Sequence, residues 1–365
     1  TLMGGSNCMR QWPNVYGQRR WWGSSMLIQS ALTCIFLILF TQLTGQIINY
    51  IQVLENDALV NFPESIDFAL SLESKTPVER ITLIYGTNAT SCSPGGARQA
   101  QDFNPHTAIE LEWQWDLKRS GSVPPGAEIW WQWEIEDEDG GIFLTDRQSM
   151  LVIDDRHSWQ ETSEANVTVY WYAGDAAFGQ TLLALAVDSL ARLSSEAGVA
   201  TENPIQVWAY PTAADVRDAV VNTPEWVGGV AYPDYGIAIV AFRPGEDEEP
   251  GHVIPHEIAH LVEGSVIFNC RGGRMPTWLS EGLAEFSAGG RSQSSMARLE
   301  ASLEQGRLPP LNLLSRGFSA YTRGADLAYT QSTAVVTYLL ETFGPEMMAD
   351  LIDKLRSGKS INDAL

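Results

Sequence analysis

Three of the five histidines in this chain lie within residues 252–260, and the last five residues of that stretch read His-Glu-Ile-Ala-His. Residues four apart share one face of a helix, so His256 and His260 can point their imidazoles at one ion. Glu257 is rotated from His256 by about 100° around the helix axis, which places its carboxylate beside that ion. Two imidazoles and an adjacent base are the groups that activate water on zinc. The stretch therefore predicts a zinc site and makes a metallopeptidase the leading hypothesis.

The surroundings of the motif also favour a helix. Pro255 directly precedes the motif, which suits the first turn of a helix, where the missing N–H is not needed. Apolar residues follow at 258, 259, 261 and 262 and indicate a largely buried helix. The alternative is an ordinary buried helix whose histidines hydrogen-bond to neighbouring groups.

A catalytic zinc takes three protein ligands, so the motif leaves one ligand to be found. The extended pattern H-E-x-x-H-x-x-G-x-x-H is absent, because Glu263 and Val266 occupy its Gly and His positions. Residues 276–286 read Pro-Thr-Trp-Leu-Ser-Glu-Gly-Leu-Ala-Glu-Phe, and Glu281 and Glu285 share a helix face. Glycines and a proline between residues 269 and 276 can turn the chain back. A second helix can therefore bring a carboxylate to the first.

H-E-x-x-H followed about twenty residues later by W-L-x-E-G-x-A-E resembles the gluzincin zinc metallopeptidases. The resemblance is greatest to the peptidase MA-like family, which is related to the zinc aminopeptidases. It implies one Zn²⁺ per chain bound by His256, His260 and Glu281, with Glu257 as general base. In the family the second Glu, here Glu285, supports the site.

The family also has a tyrosine on a later helix that stabilises the oxyanion. Tyr329, in Ala-Tyr-Thr-Gln-Ser, matches one form of that family motif. The alternative for Tyr329 is a core aromatic residue on an amphipathic helix.

The resemblance covers residues 165–365 and departs at the strand that lines the cleft. The zinc aminopeptidases carry Gly-Ala-Met-Glu-Asn there, and its Glu holds the free amino terminus of the substrate. Residues 228–233, the corresponding stretch, read Gly-Gly-Val-Ala-Tyr-Pro and contain no Glu. This departure argues against an aminopeptidase and favours an endopeptidase, while an unknown specificity stays open as the alternative. Two other classes stay open: a catalytically inactive exported adhesion or interaction protein on a zincin scaffold, and a glycan-binding protein that uses its tryptophans.

The hydrophobic pattern predicts a multi-domain protein. Residues 110–117 and 129–135 alternate apolar and polar side chains, and turn residues separate them, so residues 46–160 are predicted to form an all-β immunoglobulin-like sandwich. Residues 161–365 are predicted to form a zincin-type, thermolysin-like metallopeptidase domain, with an α/β upper part (161–263), a helical lower part (275–365) and a cleft between them. Strands are expected at 166–172, 205–210 and 236–242, and helices at 176–197, 212–221, 294–305, 325–342 and 345–357.

Residues 1–45 are predicted to form a leader. Arg19 and Arg20 precede an apolar stretch at residues 31–40, which indicates a signal peptide. Polar residues interrupt the stretch before it reaches the ~20 apolar residues of a membrane span, so an uncleaved anchor is the second interpretation. We therefore expect an exported protein, either secreted or anchored. Export would permit Cys92 and Cys270 to pair, although their spacing leaves the pairing open.

The charge of the chain restricts its partners. A formal net charge of −22, from 45 acidic and 23 basic residues, argues against binding nucleic acid or an anionic membrane surface. The expected partner is a peptide or protein substrate, with membrane contact only through the N-terminal segment. The oligomeric state, the cleavage preference and the role of the β-rich half stay open.

Overall fold

The computed structural model describes residues 51–93, 95–221, 228–245, 250–270, 272–318 and 322–365, which belong to one compact unit. The predicted leader at residues 1–45 lies outside the described residues, so the signal peptide and the anchor stay predictions. Within the described residues the chain is mixed α/β, with two sheets followed by a helical region.

The N-terminal half of the described chain is a seven-stranded antiparallel sheet, joined through one long strand. Its strands are β1 (Ile51–Asn61), β2 (Ser65–Thr87), β3 (Ala97–Ala100), β4 (His106–Asp116), β5 (Glu128–Asp137), β6 (Ile142–Leu144) and β7 (Gln148–Leu151), and the short helix α1 (Leu117–Ser120) follows β4. The first part of β2 pairs with β1 and β4, and its second part pairs with β3 and β5. The strands predicted from alternation are confirmed, whereas an immunoglobulin-like arrangement stays a prediction.

The tryptophans of β5 belong to the core of this half. Trp131 and Trp133 are buried on the same face as Ile135, as the alternation predicted. Both indole N–H groups donate to Oδ1 of Asn56, at 2.8 and 3.0 Å. These two rings therefore fill the protein interior and do not offer a surface for stacking a sugar.

A second, five-stranded sheet follows in the order β11-β12-β10-β9-β8. Its strands are β8 (Gln160–Glu164), β9 (Val167–Trp171), β10 (Ile205–Tyr210), β11 (Gly229–Tyr232) and β12 (Ile237–Ala241). The three central strands are parallel, and the edge strands β8 and β11 run antiparallel to their neighbours. The helices α2 (Ala176–Ala197) and α3 (Ala213–Ala219) connect its parallel strands. Both faces of this sheet are covered, which explains why β10 and β12 read as nearly continuous apolar runs.

The two sheets share one buried layer. Val207 and Ala209 of β10 pack with the helices, whereas Trp208 and Tyr210 pack with the side chains of the N-terminal sheet. Fully buried Asp154 fixes this layer, because it binds the Arg156 guanidinium at 2.6 and 2.7 Å and accepts the hydroxyl of Tyr210 at 3.0 Å. The predicted boundary between residues 160 and 161 stays a prediction, since the packing runs across it.

The remaining helices lie in the C-terminal part. They are α4 (Pro250–Ile267), α5 (Thr277–Ser287), α6 (Gln293–Glu304), α7 (Thr322–Phe343), α8 (Pro345–Arg356) and α9 (Ile361–Ala364), with a 3₁₀ turn at Leu311–Ser315. Within the described residues, α2 is long and apolar enough to cross a membrane; here its apolar face packs in the core against the second sheet and α4.

The helix with the histidine motif begins earlier than the sequence indicated. Pro255 lies inside α4 and not in its first turn, so that prediction is wrong. The proline leaves the carbonyl of Gly251 without its helical N–H partner, a loss that is tolerable this close to the helix start. The additional turn places His252 on the same helix as His256 and His260.

Candidate metal centre

Helices α4 and α5 bring three ligand atoms together. Nε2 of His256 and Nε2 of His260 lie 3.2 Å apart, because one helical turn separates these residues. Oε2 of Glu281, on α5, lies 3.5 Å from the first nitrogen and 3.6 Å from the second. Among the described residues, this is the group of three whose ligand atoms are close enough to hold one metal ion. Glu257 is not a member of that group.

The three residues fit Zn²⁺. With bond lengths near 2.0–2.2 Å, tetrahedral zinc places its ligand atoms about 3.3 Å apart, close to the spacing found here. Oε2 of Glu281 is buried and has no hydrogen-bond partner within the described part of the chain. Burial raises the pKa of Glu281, but the contacts with His256 and His260 outweigh it and lower that pKa to about 2. An ionised, buried oxygen that lacks a donor is suited to a cation.

A carboxylate lies beside the other ring nitrogen of each histidine. Nδ1 of His256 lies 3.7 Å from Oε1 of Glu285, and Nδ1 of His260 lies 3.6 Å from Oε2 of Glu263. Ser280 holds Glu263 in place by donating to the same oxygen at 2.6 Å. Such carboxylates orient a metal-binding imidazole and leave its Nε2 free for the ion.

The sequence reasoning gave no role to Glu263. In the sequence, Glu263 stands out only because it occupies the Gly position of the extended histidine motif. The available signal was its spacing, because a residue three positions after His260 on a helix lies next to it. Burial lowers the pKa of His260, but the contacts with the carboxylates of Glu263 and Glu281 raise it more, so the overall shift is upward.

Glu257 lies beside the ligand group and under the edge strand β11. Its side chain is buried, and its carboxylate accepts the backbone N–H of Ala231. A Cβ at Gly229 would lie 2.7 Å from Cγ of Glu257, so only glycine lets the strand approach this closely. Burial raises the pKa of Glu257, although the nearby histidines lower it in part. A buried carboxyl with a raised pKa is suited to take and release a proton.

Tyr329 on α7 lines the same cleft. Its ring packs edge-on against Phe318, with the ring centroids 4.8 Å apart. Burial raises the pKa of Tyr329, and the charges of Glu281 and Glu285 raise it further. The phenol therefore stays protonated and can donate a hydrogen bond into the cleft.

Two further residues that had no predicted role contact Glu285. Nε2 of His252 lies 3.3 Å from its Oε2, and Nη1 of Arg291 lies 3.1 Å from the same oxygen. Burial raises the pKa of Glu285, but the contacts with His252 and Arg291 outweigh it, so the net shift is downward. Glu285 is therefore an ionised carboxylate although only 4% of its side chain is exposed.

The cleft over these residues has a volume of about 990 Å³. Strand β11 forms one wall, and α4 and α5 form the floor. The loop after β2 contacts both the wall and the floor of the cleft. Its Cys92 forms a disulfide with Cys270, which follows α4. The N–H of Thr90 donates to the carbonyl of Asp234, which follows β11, at 2.7 Å. The pairing that the sequence left open is therefore present, and it joins the β-rich half to the segment between the two ligand-bearing helices.

The comparisons with known proteins agree with this geometry in the C-terminal half. A sequence model of the peptidase MA superfamily matches residues 185–365, which include α4, α5 and α7. A search of curated proteins gives no match.

Two solved structures show only remote likeness. One is an alkylpurine DNA glycosylase from Pseudomonas fluorescens, bound to DNA with an abasic site analogue, at 10% identity over 28% of this chain and 30% of that chain, with a TM-score of 0.20. The other is a polysaccharide deacetylase from Bacillus cereus, at 10% identity over 45% of this chain and 51% of that chain, with a TM-score of 0.22. The chain thus spans less than two thirds of either protein, and these scores are too low to inform fold or function. The sequence match, by contrast, contains the whole ligand group, and residues 185–365 belong to the peptidase MA superfamily.

Proposed function

We propose that this protein is a zinc-dependent endopeptidase that hydrolyses peptide bonds in exported or extracellular proteins. The observation that carries the proposal is the convergence of His256, His260 and Glu281 on one point, with buried Glu257 beside them. An inactive scaffold could fill this position with other core residues, so its stability does not require this cluster of histidines and carboxylates. The base next to the ligand group has a use only in chemistry.

The residues around the ligand group supply the steps of hydrolysis. When bound, Zn²⁺ supplies Lewis acidity and lowers the pKa of water. Glu257 takes the proton of the attacking water on its carboxylate and passes it to the nitrogen of the leaving amine. Tyr329 donates a hydrogen bond from its hydroxyl to the negative oxygen that develops on the former carbonyl.

Strand β11 provides the binding surface for the substrate. It lies at the edge of the second sheet and lines the cleft, so an extended peptide can add to it through main-chain hydrogen bonds. Its four residues, Gly229–Tyr232, include no carboxylate that would hold a free amino terminus. This absence favours cleavage within a chain over removal of its first residue.

The disulfide supports an exported location. Disulfides persist in oxidising compartments and are rare in the cytosol. Cys92 and Cys270 join the two halves of the described chain, which is the position of a structural cross-link. Secretion and anchoring through the N-terminal segment are both compatible with this pairing.

Glu257→Gln is the variant that tests the proposed function. The amide keeps the shape of the side chain but cannot accept the proton, so we expect zinc binding to persist and hydrolysis of a denatured protein substrate to fall by about 10²- to 10⁴-fold. A chelator should abolish the wild-type activity, and added zinc should restore it. Unchanged hydrolysis in Glu257→Gln would reject the assigned base. No chelator-sensitive hydrolysis in zinc-loaded wild type would favour the inactive zincin scaffold of an adhesion or interaction protein.

A further inference from the structure

Arg291 follows the end of α5 and turns back towards that helix. Gly289 and Gly290 adopt φ values of 93° and 82°, in the left-handed region that favours glycine. The N–H of Gly290 donates to the carbonyl of Glu285 at 2.8 Å, which closes the reversal. The sequence Ala-Gly-Gly-Arg after α5 thus returns a cation to the helix that holds Glu281 and Glu285.

The Arg291 guanidinium binds carboxylates on two helices at once. Nη1 lies 3.1 Å from Glu285 on α5, and Nη2 lies 2.5 Å from Asp326 on α7. A planar guanidinium can make both contacts with fixed geometry, whereas an ammonium group acts as a single point charge. Because the Glu285 side chain is only 4% exposed, its charge needs a nearby cation to remain in place beside His256.

The second contact reaches the turn of α7 that carries Tyr329. Asp326 and Tyr329 are three residues apart and therefore lie on one face of the helix. Cζ of Arg291 lies 6.0 Å from the centre of the Tyr329 ring. The Arg291 side chain therefore lies between Glu285, the carboxylate beside the ligand His256, and the helix turn that carries Tyr329.

We propose that Arg291 is a positioning residue of the metal centre. It holds Glu285 against His256 and, through Asp326, fixes the turn of α7 that presents Tyr329. This inference rests on the proposed function, because it assigns Arg291 a part in the same site. It gives Arg291 no contact with the reacting atoms.

The chain offers a matched control in Arg298. Its Nη2 contacts Asp326 at 2.9 Å from α6, but no contact joins it to Glu285 within the described residues. Arg291→Met and Arg298→Met therefore each remove a guanidinium from Asp326, and only the first also removes one from Glu285. Arg291→Lys keeps the charge without the planar fork.

The experiment measures zinc affinity by chelator competition, and kcat and KM on a peptide substrate, for the whole protein and each variant. For Arg291→Met we expect zinc affinity to fall by about 10- to 100-fold, and kcat at saturating zinc to fall with KM nearly unchanged. Arg291→Lys should recover part of both losses. Arg298→Met should keep zinc affinity within about 2-fold of wild type, as expected for an exposed ion pair.

The Glu285→Gln background separates positioning from general support of the fold. If Arg291 acts on zinc through Glu285, adding Arg291→Met to Glu285→Gln should leave zinc affinity unchanged and still lower kcat. An equal further loss of zinc affinity in that background, or an equal loss in Arg298→Met, would overturn the proposal. Circular dichroism checks each fold, and Arg291→Lys carries the test if Arg291→Met does not fold.

The wild-type result distinguishes the two levels of inference. Wild type that neither binds zinc nor hydrolyses peptides would remove the proposed function and this inference together. Wild type that does both, beside Arg291 variants that match Arg298→Met, would remove only the role of Arg291.

Discussion

At the scale of single residues, the site is defined by which atom of each side chain faces inward. His256 and His260 turn Nε2 towards Glu281, while a carboxylate lies beside each Nδ1. Glu257, one position from a ligand, instead lies under β11 and outside the ligand group. One helix therefore supplies two ligands and a base without their competing for the same position.

The burial of Glu257 predicts the acid limb of the pH profile. The base works only when deprotonated, and burial raises its pKa above the ordinary value of 4.5. Activity should therefore fall, as the pH is lowered, at a higher pH than an exposed glutamate would give. The check is kcat/KM against pH, with zinc content measured at each point so that loss of metal is seen separately. An acid limb at or below pH 4.5 with zinc retained would contradict the assignment.

At the scale of elements, the site depends on how α4, α5, α7 and β11 are held together. The loop after β2 contacts the segments that follow both β11 and α4, through Thr90 and the Cys92–Cys270 disulfide. The β-rich half thus braces the wall and the floor of the cleft from one loop. This brace involves residues 178 positions apart in the sequence.

Loss of the disulfide should lower the stability of the fold. Replacing Cys92 and Cys270 by Ser removes a cross-link that closes a long loop, and we expect the free energy of unfolding to fall by about 2–4 kcal/mol. Denaturant titration measures the change, and reduced wild type should match the double variant. An unfolding free energy equal to that of oxidised wild type would show that the bridge does not constrain the unfolded chain.

At the scale of the whole molecule, the β-rich half and the mixed half share their interior. Trp208, Tyr210 and Ile239 of the second sheet pack with the side chains of the first. A strand whose two faces are both buried has an apolar sequence, whether helices or another sheet cover it. The sequence therefore predicted these strands, but it could not predict that the N-terminal sheet covers their second face.

At the site too, the local sequence pattern predicted the residues of each segment but not the contacts that tertiary packing makes. Local spacing was enough to propose His256, Glu257, His260 and Glu281, which the structure brings together. The role of Arg291 could not be predicted, because its partners lie on two helices that only tertiary packing brings together. The pairing of Cys92 with Cys270 had the same character, since spacing alone cannot fix a long-range contact.

The shared interior predicts that residues 161–365 do not fold alone. Their isolation would expose the large side chains of the second sheet and leave them in water, which costs about 25 cal/mol for each Å² of apolar surface. Near-ultraviolet circular dichroism and thermal unfolding of that fragment are the measurements, beside residues 46–365 as control. A cooperative transition in the fragment would show that the C-terminal part is an independent domain.

Zinc content is the most direct test of the central claim, that His256, His260 and Glu281 form one metal site. The measurement is mass spectrometry of metals in purified residues 46–365, wild type beside His256→Ala. We predict about one zinc per wild-type chain and loss of that zinc in the variant, because two remaining ligands bind the ion weakly. Folded wild type without zinc, even after reconstitution, would contradict the account.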